Sequence, residues 1–290
     1  MQVNTQSGFH RTAILGTGLI GGSFGLALRR EFPAAIVTGF DRPEVLERAK
    51  ARGAITGTAS DVAAAVRGAD LIYVALPIGV TIDALPKIAA TVNPDALVTD
   101  SGSTKALICR DAQKHFRGSA RFLGGHPMAG KEHSGIEHAD ADLFRSSRYA
   151  LIASENDPDS RILRFAALLR CFGSEPVWCD ADTHDWAVGI VSHLPQLVSV
   201  ALARVIADET DETGLPLSLA GGGVGDALRL AGSPYEVWRD TCLTNRENIA
   251  HALDRLAQAV DHLRNHLASK DLEQEFSAAN ELYRALRKAR

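Results

Sequence analysis

The stretch Thr12–Gly21, with the sequence TAILGTGLIG, decides the fold of this chain. It begins as a short apolar run typical of a buried strand, and the apolar pattern that follows, up to Arg30, has helical spacing. Between the two lies the pattern G-x-G-x-x-G, formed by Gly16, Gly18 and Gly21. The first glycine permits a tight turn, the second lets a pyrophosphate approach the backbone, and the third lets helix and strand pack closely. Because the N–H groups at a helix start attract phosphate, the stretch predicts a dinucleotide-binding unit.

A second predicted strand, Ile36–Phe40, ends at Asp41, about 25 residues after the first glycine. A carboxylate at this place accepts hydrogen bonds from an adenosine ribose and repels a 2′-phosphate, so it favours NAD over NADP. Arg42 keeps NADP open, because an arginine here can meet a 2′-phosphate; the alternative is a solvated side chain at the start of the next helix. The predicted cofactor-binding set comprises Gly16, Thr17, Gly18, Leu19, Ile20, Gly21, Asp41, Arg42, Pro77 and Ser101.

Strands and helices continue to alternate along the first half of the chain. Apolar strands are predicted at Asp70–Pro77 and Ala96–Asp100, and each is followed by a helical pattern. This alternation indicates a parallel sheet covered on both faces, whose ligands bind at the carboxyl ends of the strands. The turns at Pro77, at Ser101–Ser103 and at His126 are therefore expected to converge near a nicotinamide.

The alternation ends after Asp182. Two more strands are predicted before it, at Tyr149–Ala153 and Glu175–Cys179. The rest of the chain has helical patterns: Thr183–Asp208, which Pro195 should kink, residues 234–267 and residues 271–288. The predicted fold class is an α/β Rossmann-type nucleotide-binding domain over residues 1–180, followed by an all-α substrate and dimerisation domain over residues 181–290. The segment Gly189–Ala203 is apolar nearly all round, so it is expected to be buried, at a subunit interface.

The composition is that of an ordinary globular protein, with 46% hydrophobic and 23% charged residues. A net charge of −4 without a basic block argues against nucleic acid as a partner. The apolar runs look too short and interrupted to span a membrane, and the N-terminus lacks a signal-peptide pattern, so a cytoplasmic location is expected. The four cysteines have no metal-ligand spacing, which predicts free thiols and no metal site.

The stretch Gly124–Glu132, GGHPMAGKE, contains the first candidate catalytic residue, His126. Two glycines and a proline should hold this imidazole in a rigid, non-helical turn, with Glu132 six residues later. A general acid or base would be placed in this way. A buried histidine satisfied by the backbone of a tight loop is an equally good interpretation of the residues alone.

Polar residues interrupt the apolar helix that follows. Ser192 and Gln196 are four residues apart and should share a face that looks into a ligand cleft. Alternatively, Ser192 bonds the backbone one turn earlier and Gln196 is merely exposed. His193 should lie on another side of the helix as a structural or supporting residue. Asp185 suits the dipole of its own helix, and His184 receives no assignment.

An arginine follows the glycine run Gly221–Gly223. Arg229 lies between that run and Trp238, a setting that suits the capture of a carboxylate. A surface arginine on a helix explains the same pattern equally well.

Together these motifs resemble the prephenate/arogenate dehydrogenase family of tyrosine biosynthesis over about residues 11–270. The resemblance rests on Gly16–Gly21, Asp100–Lys105, Gly124–Glu132, Ser192–Pro195, Gly221–Gly223, Arg229 and Trp238–Asp240. It implies hydride transfer to NAD from C4 of a cyclohexadienol, loss of the ring carboxylate as CO₂, and a homodimer built through the helical domain.

The resemblance also implies roles for individual residues. His126 would take the proton of the 4-hydroxyl, and Ser103 would orient that hydroxyl and the nicotinamide. Arg229 would anchor the ring carboxylate, and Glu132 would be the gating or ion-pairing acid at the cleft mouth. The residues at the side-chain end of the pocket would be Ser192, Gly222 and Trp238.

Gln196 departs from the family pattern, because prephenate-specific members carry a histidine there. A neutral amide can accept from an ammonium, so arogenate is expected as a substrate, alone or with prephenate. The residues before 11 are too few for a fused mutase and those after 270 too few for a regulatory domain. Tyrosine is therefore expected to inhibit, if at all, as a product at the active site.

Two alternatives remain. Another NAD(P)-dependent hydroxyacid or imine dehydrogenase with a helical second domain would share the glycine motif, but such enzymes usually carry a catalytic lysine where Thr183–Asp208 has none. A non-catalytic dinucleotide-binding redox sensor would leave His126, Ser103 and Arg229 unexplained.

Overall fold

The strands form where short apolar runs meet glycine or polar turns. The computed structural model describes residues 8–118, 120–131 and 133–288. Within them one sheet of eight strands has the order β3-β2-β1-β4-β5-β6-β7-β8. The strands are β1 (Arg11–Leu15), β2 (Ile36–Phe40), β3 (Gly57–Thr58), β4 (Leu71–Val74), β5 (Leu97–Asp100), β6 (Arg121–Pro127), β7 (Arg148–Ile152) and β8 (Glu175–Cys179).

The sheet is parallel from β3 to β6, but β7 runs antiparallel to β6. The prediction of a fully parallel sheet is therefore wrong at this pair. A parallel return needs a crossover, usually a helix, and the described part of residues 128–147 has only the short 3₁₀ turn Ile136–His138. Strands β1, β2 and β3 are added to the sheet in one direction and β4, β5 and β6 in the other, so the strand order reverses between the parallel neighbours β1 and β4. Ligands bind at such a switch point.

Helices cover both faces of the sheet. Alternate residues of β1 enter opposite layers: Ile14 packs in the layer of Phe24 and Tyr73, whereas Ala13 and Leu15 pack in the other. The covering helices are α1 (Leu19–Glu31), α2 (Pro43–Ala51), α3 (Val62–Val66), α4 (Ile78–Ala89), α5 (Ala106–His115) and α6 (Ser160–Cys171). This confirms the predicted α/β nucleotide-binding fold.

All described elements after β8 are helical. They are α7 (Ala181–Val188), α8 (Leu194–Asp208), α9 (Leu215–Ser218), α10 (Gly222–Leu228), α11 (Tyr235–Thr244), α12 (Arg246–Asn265) and α13 (Asp271–Lys288), with a 3₁₀ turn at Arg229–Gly232. The predicted single helix over residues 234–267 is wrong, because it is broken at Asn245. The Asn245 amide instead donates to the backbone oxygen of Asp185 at 2.7 Å.

The irregularity in the first long helix precedes Pro195 instead of lying at it. A π-helical turn, Gly189–His193, joins α7 to α8, and Pro195 sits in the first turn of α8. Proline cannot donate to the carbonyl four residues earlier, so the regular ladder slips by one residue in the preceding turn. The extra residue also changes the relative directions of Ser192 and Gln196 expected for a regular helix.

The run Ala181–Asp208 buries several polar side chains and exposes several apolar ones. It is 28 residues long and contains an 18-residue window with a mean hydropathy of 1.6, so the expectation that no run is long enough for a membrane is wrong on length. Its buried side chains include His184, Asp185, His193, Gln196 and Ser199. Val191 is 68% exposed and Val200 44% exposed, so the predicted burial of Gly189–Ala203 does not hold within one chain. An apolar face of α8 is left on the surface.

Candidate active site

A cleft of about 730 Å³ lies at the carboxyl ends of β1, β2, β4 and β5. The predicted cofactor residues that line it are Gly18, Leu19, Ile20, Asp41, Arg42, Pro77 and Ser101, together with Ser103. Gly16, Thr17 and Gly21 lie behind this wall. The opposite wall comes from the helical half, through Ser233, Val237, Asp240 and Thr241. The cleft therefore spans both halves of the chain.

The three glycines of the G-x-G-x-x-G pattern differ in what surrounds them. Gly16 has a φ of +89°, and a side chain there would overlap the Ala75 carbonyl oxygen. A side chain on Gly21 would overlap the carbonyl oxygen of Gly16. Gly18 faces open space and begins α1 without a side-chain cap. The free N–H groups of α1 are thus open to a phosphate, which fits a dinucleotide.

Asp41 is held at the end of β2 by backbone donors. Its Oδ2 accepts from the Thr17 N–H at 2.7 Å, and its Oδ1 accepts from the Arg42 N–H at 2.8 Å. The Arg42 side chain is 76% exposed and lies 3.6 Å from a Glu44 carboxylate oxygen. The carboxylate is fixed at the cleft edge, while the arginine is turned toward another acid.

His126 lies in strand β6, opposite Ala150 of β7, so the predicted turn is wrong. The flanking glycines have another purpose. A side chain on Gly124 would come within 2.6 Å of Cys109 Sγ, and one on Gly125 within 2.6 Å of the Asp100 carbonyl oxygen. They permit close packing of β6 against its neighbours. The sequence pattern could not separate this purpose from that of a turn.

The imidazole of His126 belongs to a buried chain of three side chains. His126 Nδ1 is 2.9 Å from His184 Nε2, and His184 Nδ1 is 2.8 Å from Asp185 Oδ1. The backbone-only interpretation of His126 is therefore wrong. Sequence reasoning left His184 unassigned, because only the packing of α7 against β6 brings the two rings together.

Asp185 caps another helix than the one it belongs to. Its carboxylate accepts from the N–H groups of Lys105 at 2.6 Å and of Ala106 at 2.9 Å, at the start of α5. The expected role at the start of its own helix is thus corrected. No local sequence pattern predicts such a cap, because the hydrogen bond joins residues 80 positions apart.

A buried ion pair braces the strand of His126. Lys105 Nζ pairs with Asp100 Oδ2 and donates to the carbonyl oxygen of Gly125 at 2.8 Å. Asp100 also accepts from the N–H groups of Gly102 at 2.8 Å and Gly125 at 3.1 Å. The turn that carries Ser103 and the strand that carries His126 are therefore locked together.

His126 is neutral under ordinary conditions. Burial comes first, and then the charges of His184, Lys105 and His193, in holding the pKa of His126 well below its usual value. Among the residues that the structure describes, Nε2 of His126 makes no hydrogen bond. A neutral imidazole with one nitrogen engaged and the other available can accept a proton.

The predicted substrate residues of the helical half surround the turn Arg229–Gly232. Gln196 is 3% exposed and its Nε2 donates to the Leu230 carbonyl oxygen at 2.8 Å, so its interpretation as merely exposed is wrong. Ser199 Oγ donates to the Ala227 carbonyl oxygen at 2.8 Å and accepts from the Ala231 N–H at 3.0 Å. Helix α8 thereby fixes the turn that begins with the exposed Arg229.

The remaining predicted residues are spread around this turn. Ser192 is half-buried in the π-helical turn, and Gly222 is exposed at the first position of α10. The half-buried Trp238 meets the ring of His193 edge to face at 5.8 Å. Glu132 lies outside the described residues. The cleft lining contains Ser103 but not His126, Arg229, Ser192, Gln196, Gly222 or Trp238, so these predicted residues lie outside the wall that carries most of the cofactor set.

The fold and the cleft define an NAD-dependent dehydrogenase: a glycine-rich α/β half, a buried neutral histidine and a helical half that closes the cleft. Two family models cover most of the chain: "Prephenate dehydrogenase, nucleotide-binding domain" over residues 24–175, and "Prephenate dehydrogenase, dimerization domain" over residues 180–287. The chain belongs to the prephenate dehydrogenase family.

Known relatives agree with this membership. A prephenate dehydrogenase of Lactococcus lactis is 35% identical over 260 residues, which are 89% of this chain and 71% of that relative. The crystal structure of prephenate dehydrogenase from A. aeolicus, in complex with hydroxyphenyl propionate and NAD+, superposes with a TM-score of 0.85 at 26% identity and covers 99% of both chains. That of Synechocystis arogenate dehydrogenase has a TM-score of 0.75 at 30% identity and covers 96% of both chains.

The expectation from the motifs is thus confirmed at the level of family, fold, cofactor and reaction. The chain is an NAD-dependent oxidoreductase that decarboxylates a cyclohexadienyl acid as it oxidises it. The two alternative interpretations, another hydroxyacid or imine dehydrogenase and a non-catalytic sensor, are excluded.

Proposed function

We propose that this enzyme oxidises arogenate, and prephenate alongside it, with His126 as the proton acceptor. The observation that carries the assignment is the neutral, buried His126, whose Nδ1 is engaged by His184 while Nε2 makes no hydrogen bond within the described residues. Ser103 lies on the cleft wall at the same end of the sheet. A cyclohexadienol placed between them would present its 4-hydroxyl to the imidazole.

The reaction balances with these groups. Bound NAD⁺ accepts the hydride. As the C4–H bond breaks, the hydroxyl proton moves to His126 Nε2. The ring carboxylate then leaves as CO₂, its bonding pair completes the aromatic ring, and His126 returns the proton to the ring oxygen. General-base assistance of this kind is typically worth about 10²–10⁴ in rate.

Other residues hold the substrate in this proposal. Ser103 orients the hydroxyl against the nicotinamide, and Arg229 anchors the ring carboxylate from its braced turn. Ser192, Gly222 and Trp238 would contact the side chain of the substrate, and Glu132 would have the gating or ion-pairing role that the family resemblance implies. An arginine pairs with a carboxylate through two parallel hydrogen bonds, so it fixes the ring without covalent chemistry.

The preference for arogenate rests on Gln196. Its Nε2 donates to the Leu230 carbonyl oxygen at 2.8 Å, which directs Oε1 away from that contact. A carbonyl oxygen accepts from the ammonium of arogenate, whereas a pyruvyl side chain offers it no donor. The preference for NAD over NADP is supported by two residues at the cleft edge. The Asp41 carboxylate is fixed there, and the Arg42 guanidinium is paired with Glu44.

We also propose a division into residues 1–180 and 181–290, a homodimer, and a cytoplasmic location. The boundary is supported by the change from strand β8 to helix α7. The dimer is supported by the apolar face of α8, where Val200 and Val205 are exposed. Tyrosine, the product from arogenate, would inhibit by occupying the substrate site.

The experiment that tests the proposal replaces the acceptor. His126→Asn keeps a polar side chain of similar size but cannot take a proton. We expect kcat to fall by about 10²–10⁴, while the KM values for NAD⁺ and arogenate change less than about threefold. Steady-state kinetics measure both. A variant with near wild-type kcat would remove His126 from the chemistry.

A further inference from the structure

We propose that His184 and Asp185 form a proton relay behind His126 that fixes its reactive tautomer and receives the positive charge formed during the reaction. The inference rests on the proposed function, in which His126 is the proton acceptor. It gives a role to two positioning residues, neither of which is expected to touch the substrate.

The tautomers follow from the acceptor at the end of the chain. A carboxylate only accepts, so the 2.8 Å contact with Asp185 Oδ1 requires a proton on Nδ1 of His184. The proposal takes His184 as uncharged before the reaction, so that its Nε2 has only a lone pair. The 2.9 Å contact with His126 Nδ1 requires that His126 donates, and the Nε2 of His126 must be the basic nitrogen.

The Asp185 carboxylate is held in one orientation by several hydrogen bonds. Its side chain is 3% exposed and also accepts from the N–H groups of Lys105 and Ala106 at 2.6 and 2.9 Å. Its backbone oxygen accepts from the Asn245 amide at 2.7 Å. Three donors and a fixed backbone hold the carboxylate in one orientation, so the order of protons along the chain is set before substrate binds.

The surroundings favour a charge on His184 over one on His126. The charged and titratable groups around the pair are Asp185, His193, Lys105 and Asp100. Lys105 and His193 disfavour a cation at His126, whereas His184 is in contact with the Asp185 carboxylate. Lys105 is itself paired with Asp100, which leaves Asp185 to stabilise the new charge.

The relay step conserves every proton. When His126 Nε2 takes the hydroxyl proton, the proton on its Nδ1 passes to His184 Nε2, and the proton on His184 Nδ1 stays in its hydrogen bond to Asp185. The transient imidazolium is then His184. The reverse movement restores both tautomers as His126 returns its proton to the aromatic product.

The first test is a direct reading of the tautomers in the wild-type enzyme. Protein labelled with ¹⁵N-histidine is examined by long-range ¹H–¹⁵N correlation, and His126→Asn and His184→Gln assign the two rings among the ten histidines. We expect His126 protonated on Nδ1 and bare on Nε2, and His184 protonated on Nδ1. A His126 ring protonated on Nε2 would overturn the proposal without any assay of activity.

The second test compares substitutions that keep or remove the relay. Asp185→Asn can donate to His184 and so reverses both tautomers; we expect kcat to fall by about 10²–10⁴ with KM for arogenate little changed. The acid limb of the kcat profile should move to lower pH, because the imidazolium loses its counter-charge. His184→Gln, whose amide oxygen accepts from His126, should retain at least about ten times the kcat of His184→Leu.

Matched variants separate this effect from a loss of structure. Asp61→Asn removes a carboxylate that caps α3, and His262→Gln changes an exposed histidine; both should keep the wild-type profile. If His126→Asn is inactive while His184→Leu and Asp185→Asn keep wild-type kcat and pH profile, the relay is wrong and the proposed function stands. If His126→Asn is active, the proposed function itself fails. If Asp185→Asn does not fold, the comparison of His184→Gln with His184→Leu and the tautomers of the wild-type enzyme still test the relay.

Discussion

At the scale of single residues, Gly16 and Gly18 should respond differently to the same substitution. Gly16→Ala forces a side chain onto a positive φ and against the Ala75 carbonyl, so we expect a loss of more than about 2 kcal/mol in unfolding free energy. Gly18→Ala meets no protein atom within 4 Å, so stability should change little. Its methyl group would enter the phosphate path, and KM for NAD⁺ should rise at least about tenfold.

Thermal unfolding and NAD⁺ titration of the two variants separate these effects. The opposite pattern, with Gly18→Ala unstable and Gly16→Ala merely weak in cofactor binding, would contradict the division of roles among the glycines.

Gln196→His tests the specificity residue. A histidine can donate to a pyruvyl side chain and, when charged, repels an ammonium, so the ratio of kcat/KM for arogenate over prephenate should fall about tenfold or more. The matched control is Ser199→Ala, which also loosens the Arg229 turn, because Ser199 Oγ accepts from the Ala231 N–H. That control should lower stability and leave the ratio unchanged. An unchanged ratio in Gln196→His would make the glutamine irrelevant to substrate choice.

His193 should make stability depend on pH. Burial lowers the pKa of His193 to about 4, so between about pH 6.5 and about 4 the unfolded chain binds a proton that the folded chain does not. Stability contributed by the neutral ring is present above pH 6.5 and is lost as the pH falls through this window, by at most about 3 kcal/mol. His126, with its pKa also lowered, acts in the same direction.

Urea unfolding at about pH 7.5 and about pH 5 measures this effect in the wild type and in His193→Gln. The variant should lose about 2 kcal/mol less on acidification. Equal losses in both proteins would show that His193 is not buried as a neutral ring.

At the scale of elements, the pair Lys105 and Asp100 joins the start of helix α5 to strand β5, and both side chains also hydrogen-bond the backbone of Gly125 in strand β6. Lys105→Met leaves a buried carboxylate without its counter-ion, and we expect a loss of about 3–5 kcal/mol in unfolding free energy. Lys114→Met, on the same helix, breaks an exposed pair with Asp111 and should cost less than about 1 kcal/mol. Chemical denaturation of the two variants gives the comparison, and similar losses would contradict a bracing role for the buried pair.

The elements differ in how far the sequence predicts them. The strand and helix around Gly16–Gly21 can be predicted from the sequence, because the residues that form the turn, the phosphate site and the strand–helix packing all lie within ten residues of one another. The sequence wrongly predicts a turn where strand β6 lies. Its glycines make room for Cys109 and Asp100, and these neighbours are distant in sequence. The contact of His126 with His184 arises in the same way, from the packing of two elements 58 residues apart.

For the helical half, the sequence predicts that the elements are helices but not where they are interrupted. Apolar periodicity predicts helices, yet the irregular turn forms before Pro195 instead of at it, and the break at Asn245 accompanies a hydrogen bond to another element, at Asp185. Gln196 is singled out by its four-residue spacing from Ser192 on an apolar helix and by its departure from the family pattern. Its partner on the Arg229 turn appears only in three dimensions.

At the scale of the whole molecule, the exposed face of α8 predicts a dimer. Val205→Asp places a charge where an apolar side chain is 58% exposed, and we expect it to convert a dimer of twice 31.0 kDa into monomers. Val80→Asp, at a valine 49% exposed on α4 of the other half, is the matched control and should remain dimeric. Light scattering after size exclusion measures the mass. A wild-type monomer, or a dimeric Val205→Asp, would contradict this assignment of the face.

The central claim is that the cleft and His126 oxidise a cyclohexadienyl acid with NAD⁺. Its most direct test is the initial rate of reduction of NAD⁺ and of NADP⁺ with arogenate and with prephenate, measured in parallel. We predict that NAD⁺ is reduced faster than NADP⁺, and that kcat/KM for arogenate equals or exceeds that for prephenate. A strong preference for prephenate would contradict the role of Gln196, and no reduction with either substrate would contradict the account as a whole.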